Sequence, residues 1–219
     1  MKIRTIEKLE DLLDEDLAWR KKELFEMKRV IKRSNVNKNL HTRAAIALLS
    51  AHFEGFIKFA ANRYIIFIAS QGVSYRNLKN CFLSIKFKAK FDQCNETDKL
   101  SVYSSLLDDL EGAQLKNFKV NDDKIIKTGG NPTSSALKEI LKSVGLEYDL
   151  FETKRHFIDY SLLSKRHEVV HGEKTDLDPE DFFVTLSEIM ETIDRFKTCI
   201  IEAAENKLYL KQPELSTVI

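Results

Sequence analysis

The chain has 219 residues, 43% of them hydrophobic and 32% charged, a composition ordinary for one folded domain with a sizeable core. Only 7 Gly and 3 Pro argue against a turn-rich sheet architecture. With 35 Lys+Arg against 34 Asp+Glu, the net charge of +1 points to no polyanionic partner, so any nucleic-acid site has to rest on a local patch. Cys81, Cys94 and Cys199 are odd in number and lack CxxC spacing, which argues against a disulfide framework or a zinc–thiolate site and fits a reducing, cytoplasmic setting.

The start, Met1 to Leu9, is charged throughout and does not read as a secretory signal. Residues 5–34 have helical periodicity: Ile6, Leu9, Leu13, Leu17, Leu24, Met27 and Ile31 recur at three- and four-residue steps. The second half of this helix is basic (Arg20, Lys21, Lys22, Lys28, Arg29, Lys32, Arg33) and reads as a solvated face. Residues 40–70 form the most apolar helix, interrupted by Glu54, Lys58 and Arg63, so it is expected to be a buried helix and not a membrane span. Its apolar residues exceed a single stripe, and cover can come from a monomeric bundle or from a second copy of the chain. Gly72 suits a left-handed cap.

Residues 73–131 are less regular. Ile85, Phe87, Ala89 and Phe91 alternate with Lys86, Lys88 and Lys90, which predicts a short strand or an extended arm. Helical spacing returns near Lys99 to Leu110, and Asn121 to Asn131 is turn-rich, running into Gly129-Gly130-Asn131-Pro132. A short helix follows over about 133–144, closed by Gly145. Another is expected over 150–171, closed by Gly172. Asp178-Pro179-Glu180-Asp181 is a helix start: Asp178 caps, Pro179 suits the first helical position, and the acids favour the positive end of the dipole. The region of about 73–148 reads as an insertion in a single domain over 1–219, because its apolar content is thin.

The densest group of reactive side chains is Arg166-His167-Glu168-Val169-Val170-His171-Gly172. Arg166 and His171, with a polar residue straight after the Arg, resemble the RX4-6H motif of the HEPN superfamily RNases. Ala51-His52-Phe53-Glu54-Gly55-Phe56-Ile57-Lys58 resembles the EGF-I/V-K segment of a bacterial branch, of the MAE or RiboL-PSP-HEPN type. The resemblance covers residues 40–70 and 150–205. It implies an all-α, up-and-down helical bundle acting as a homodimer. It also implies metal-independent endoribonuclease activity at a site shared by two copies, with no cofactor and no membrane. RNA is the implied substrate, and a toxin or antiphage effector restrained by an antitoxin or other regulatory protein is among the implied roles. Some HEPN toxins carry a Tyr two residues after the His; that position is Glu173 here, so control by modification there does not carry over.

The chemistry suits these residues. Cleavage by a 2′-hydroxyl needs a base, and histidine titrates near neutrality, so His171 is expected as general base. Arg166 offers phosphate a fixed fork of donors. On an ideal helix the two lie roughly 140° apart, which favours an unwound helix end or a site assembled from two copies. His167, Glu168 and Glu54 are expected as supporting groups, Glu54 either paired with Lys58 or orienting Arg166 or His171. His52 is expected in the core or at an interface. Arg76, Lys79, Lys86, Lys88 and Lys90, interleaved with aromatics, make a basic patch for RNA or, equally, an amphipathic edge.

Other readings remain open. His167-Glu168-x-x-His171 also fits the HExxH pattern of zinc hydrolases, with Glu191 as a third ligand. The group can instead be a charged helix end that suits the dipole, or belong to a non-catalytic RNA- or protein-binding HEPN module.

Overall fold

A computed structural model describes residues 2–34, 36–120, 125–126, 130 and 132–211. Among them the chain is mostly helical, with isolated bridges Ser74–Asn117 and Leu78–Leu210 and no strand. Helix α1 spans Ile6–Arg33 and starts at Thr5, whose hydroxyl accepts the Lys8 amide at 3.2 Å. Its stripe Leu9, Leu13, Leu17, Leu24 and Ile31 is buried, as its spacing predicts, and Arg20 lies on the same stripe. The chain turns at Asn37, whose φ of 65° is tolerated by an Asn.

Helix α2, Lys38–Ser70, is the central rod, about 50 Å long at 1.5 Å per residue. Ala45, Leu49, Phe53, Phe56, Ala60, Tyr64 and Ile68 are fully or almost fully covered, and buried residues point to nearly every side. It is long and apolar enough to cross a bilayer by length and composition, and 56% of its 18-residue apolar window is buried inside the bundle.

Helix α7, Pro179–Glu205, starts as predicted: Asp178 Oδ1 accepts the Glu180 amide at 2.9 Å with Pro179 in the first turn. The Lys28 and Lys32 ammonium groups lie over the Phe183 ring, Lys21 Nζ meets Asp194 Oδ1 at 2.6 Å, and Lys197 meets Asp14. Those contacts lay α7 antiparallel to α1. α2 is also antiparallel to α1, with the Ile3 amide donating to Ser70 Oγ at 3.2 Å.

Residues 149–170 form the remaining bundle element, running against α7 so that the four alternate up and down. It is not the single α-helix expected over 150–171. Asp149–Lys154 is a 3-10 turn, Phe157–Ser164 is π-helical, and α6 covers Lys165–Val170. Two observations account for this. Ile158, Leu162 and Leu163 are all buried, four and five residues apart, and a π turn sets residues at that spacing on one face. The segment is also pinned at fixed points. Lys154 Nζ reaches Glu188 and Glu191 of α7 at 2.7 and 2.8 Å, and Asp159 accepts the Ser134 amide and hydroxyl at 2.8 and 2.5 Å. Burial opposes the Lys154 charge but is outweighed by those carboxylates, which hold the amine above its ordinary range.

The expected strand or arm at 85–91 is a helix. α3 runs over Asn80–Asn95 and α4 over Leu100–Ala113. The alternation misleads because it spans only seven residues and no second strand is there to take its backbone hydrogen bonds. Of its apolar members only Phe87 is buried, packing with Cys94, Leu106 and Ala113 in a small cluster between α3 and α4; Ala89 is exposed and Phe91 is 42% exposed. α5, Ser134–Ser143, is capped by Thr133 and adds Leu137, Ile140 and Leu141 to the main core. Most of the turn-rich stretch Asn121 to Asn131, with Gly129, lies outside the described residues.

Lys88 is exposed in the middle of α3. Lys88→Pro is therefore expected to cost about 3 kcal/mol and to lower helical circular dichroism, while Lys88→Ala leaves both unchanged. A proline tolerated as well as the alanine would restore the extended arm.

Candidate active site

The short helix α6 ends in a Schellman motif. Gly172, at φ 75°, takes the left-handed position that favours glycine. Its amide donates to Val169 O at 3.2 Å, and the Glu173 amide reaches back to Glu168 O at 2.9 Å. His171 is the last residue before the reversal, and it is exposed.

The loop that follows is tied to the first turns of α2. Arg43 Nη1 donates to the carbonyls of Glu173 and Thr175 at 2.7 and 3.1 Å. Asn39 donates from Nδ2 to Asp176 Oδ1 at 2.6 Å and accepts the Leu177 amide at 3.0 Å. Thr175 Oγ1 closes the loop onto α6 by donating to Glu168 Oε2 at 2.9 Å. The helix end is thus held on two sides, as a site that must present side chains to solvent in a set geometry requires.

His167 and His171, one turn apart, sit with ring centroids 4.1 Å apart and planes inclined by 50°. Both are exposed, and Arg166 beside them is half-buried. His167 and His171 thus share one short stretch of surface, with Arg166 adjacent to them in the chain.

Glu168 faces elsewhere: the Thr175 hydroxyl above all, opposed by burial and helped by the Lys165 ammonium at 3.2 Å, holds its carboxyl below the usual range. That pairing bears on the HExxH reading, in which Glu168 must activate water between the two imidazoles. The proposed third ligand, Glu191, is engaged by Lys154 and by Arg195 on α7, and Lys154 above all depresses its carboxyl. Among the described residues no group of three or more His, Cys, Asp or Glu side chains is arranged to hold a metal ion. The helix also stops directly after His171, where a zinc-binding pair of this type would lie mid-helix.

Glu54 lies on α2 and meets Lys58 Nζ at 2.9 Å, one turn on. It borders a small apolar recess lined by Phe53, Ile57, Pro132, Thr133 and Leu137. Of the expected basic patch, Arg76 is exposed, Lys79 donates to Gly145 O at 2.7 Å, Lys86 lies over the Tyr75 and Phe87 rings, Lys88 is exposed, and Lys90 pairs with Asp109. Arg76 and Lys79 follow the far end of α2, and from Arg43 to Ser70 that helix rises about 40 Å. The structure does not bring these two to α6.

A second polar cluster corrects the expectation that Arg20 belongs to a solvated face. Arg20, only 9% exposed, donates from Nε to Asp16 Oδ2 at 2.6 Å, and its Nη1 lies 3.4 Å from Nδ1 of His52, which is 4% exposed. An arginine cannot accept, so Nδ1 is the acceptor and the ring proton sits on Nε2, donating to Glu23 Oε2 at 2.6 Å. The Trp19 ring meets His52 edge-on at 5.1 Å. Gly55 is where Arg20 rests: a Cβ there would lie 2.6 Å from Nη1. Two signals marked this seam, an arginine on a leucine stripe and a glycine inside a long apolar helix.

Burial first, and the Arg20 charge with it, lowers the His52 pKa, with Glu23 opposing. An unfolded imidazole titrates near 6.5, so the unfolded chain takes up the proton first as pH falls. Stability is full above about pH 6.5 and is lost toward the lower folded value. His52→Gln is expected to flatten the pH dependence of the urea midpoint below about pH 6.5; an unchanged slope would remove His52 as its source.

No curated protein and no solved structure matches the chain. The profile of the RiboL-PSP-HEPN family matches residues 15–202, a span that includes α2, the Arg166–His171 segment and most of α7. With that match over the helical bundle just described, the chain belongs to the RiboL-PSP-HEPN branch of the HEPN superfamily, which includes RNase-type members.

Proposed function

We propose that this protein is a metal-independent endoribonuclease that works as a homodimer, with Arg166 and His171 in a groove bordered by both copies. The observation that carries the reading is the end of α6, where two imidazoles share an exposed, doubly tethered stretch directly after Arg166 in a chain of this family. His171 takes the proton of a ribose 2′-hydroxyl as its oxygen attacks the adjacent phosphorus. The bond from phosphorus to the 5′-oxygen breaks, and the leaving oxygen takes a proton from the protonated imidazole or from water. Products are a 2′,3′-cyclic phosphate and a 5′-hydroxyl. Arg166 neutralises the phosphate through its fork of donors, and His167 lies close enough to His171 to contact the same group.

The dimer rests on one face of α2. His52 and Gly55 turn toward α1, and Asn39 and Arg43 toward the loop after α6. Between those flanks Leu40 is 60% exposed, Ala44 and Ala51 are exposed, and Ala47 and Leu48 are half-buried. Small side chains allow a second α2 to approach at the short end of the usual 8–10 Å or so between helix axes. The same patch on both copies makes a two-fold contact, and an axis near Ala47 sets the two α6 ends along one seam.

Purified protein incubated with several RNAs in EDTA should produce cyclic-phosphate ends. His171→Ala should lower the rate by about 10²–10⁴-fold, and Arg166→Lys, which keeps the charge without the fork, should lower it substantially. No cutting by the wild type, or equal cutting by His171→Ala, would refute the nuclease. Ala51→Arg should give monomers by light scattering and lose cleavage with its melting temperature retained. A fully active Ala51→Arg monomer would refute the shared site.

A further inference from the structure

Resting on the RNA reading, we infer that the RNA backbone is tracked by the α1–α2 turn and not by the lysines of α3. From Met27 to Phe53 the chain carries Lys28, Arg29, Lys32, Arg33, Lys38 and Arg43 and not one acid, in a protein where the two signs otherwise balance. The fold places this run at the same end of the bundle as α6. Arg43 holds the carbonyl of Glu173, two residues past His171, and Lys38 lies about 7.5 Å along the helix from Arg43.

The acids at that end are largely occupied. Glu26 pairs with Arg29, Asp176 accepts from Asn39, and Asp178 caps α7, whose positive end Glu180 and Asp181 also serve. Lys28 and Lys32 lie over the Phe183 ring, which fixes two cations of the run at the start of α7. Phe25 is exposed one turn before Arg29 and gives the row an aromatic face on which a base can stack. A single strand lying from Phe25 and Arg29 across Arg33 and Lys38 would continue toward Arg43 and the His167–His171 pair. On α3, by contrast, Lys86 lies over the ring of Tyr75, which follows the far end of α2.

The test separates binding from cutting. In the His171→Ala background, fluorescence anisotropy with labelled oligouridylate of about 20 nucleotides measures Kd between about 50 and 200 mM salt. The triple variant Arg29→Gln/Arg33→Gln/Lys38→Gln should weaken binding at least about tenfold at the lower salt. It should also flatten the salt slope by about 0.7 for each phosphate that no longer meets a cation. Lys86→Gln/Lys88→Gln should stay within about twofold. Circular dichroism checks that each variant is folded. If the triple variant binds as its parent does, or the α3 variant is weakened as much, the inference is overturned. Polyglutamate that displaces the RNA at equal concentration would assign the surface to an acidic protein and also overturn it. Cleavage by the wild type is scored separately, so a protein that binds RNA through these cations but cuts nothing refutes the nuclease and leaves this surface standing.

Discussion

A helix that is apolar on nearly every side has to be covered on nearly every side, and α2 imposes that demand on the rest of the chain. Its buried phenylalanines, isoleucines and Tyr64 each remove apolar area from water at roughly 25 cal/mol per Å². α1, α7, α5 and the 149–170 segment each take a side, with Arg20, Phe196, Leu137 and Ile158 among the residues that close the contact. One strip from Leu40 to Ala51 is left open, and its three alanines, Ala44, Ala47 and Ala51, suit close helix packing. Because the rod is about 50 Å long, elements attached at its two ends stay apart. The residues that follow its C-terminus lie far from the loop that follows α6.

The α6 end owes its geometry to backbone chemistry more than to the catalytic candidates themselves. A glycine reversal stops the helix directly after His171, and the two capping bonds use carbonyls that the helix would otherwise leave without partners. Arg43 and Asn39 then clamp the loop to α2, so the imidazoles are exposed yet carried on a rigid support. The π-helical stretch upstream belongs to the same arrangement. It lets Ile158, Leu162 and Leu163 all face the core while Lys154 and Asp159 stay fastened to α7 and α5.

The buried Arg20–Asp16–His52 seam does a different task. Buried ion pairs add little net stability, and their best-attested use is to specify one alignment among several. Here the guanidinium fits over Gly55, and a shift of one residue along α2 would set it against Glu54 or Phe56. The seam therefore fixes how α1 is registered on α2, and with it where the basic end of α1 lies relative to α6.

The helices, their order and most of their ends were legible in the sequence, because helical periodicity, an N-cap at Asp178 and reversals at Gly72, Gly145 and Gly172 are local properties of the chain. The Arg166–His171 group stood out for the same reason: six consecutive residues on one helix end are neighbours in any fold. Local pattern failed where long-range packing overrode it. Seven alternating residues became part of α3 for want of a strand to pair with, and one expected α-helix split into 3-10, π and α turns because its buried and tethered residues impose another spacing. The pairing of Arg20 with His52, the engagement of Glu168 by Thr175 and Lys165, and the meeting of the α1–α2 turn with α6 join residues far apart in sequence or facing across a turn. Only tertiary packing brings those together, since periodicity tells which side of a helix is buried and not what it is buried against.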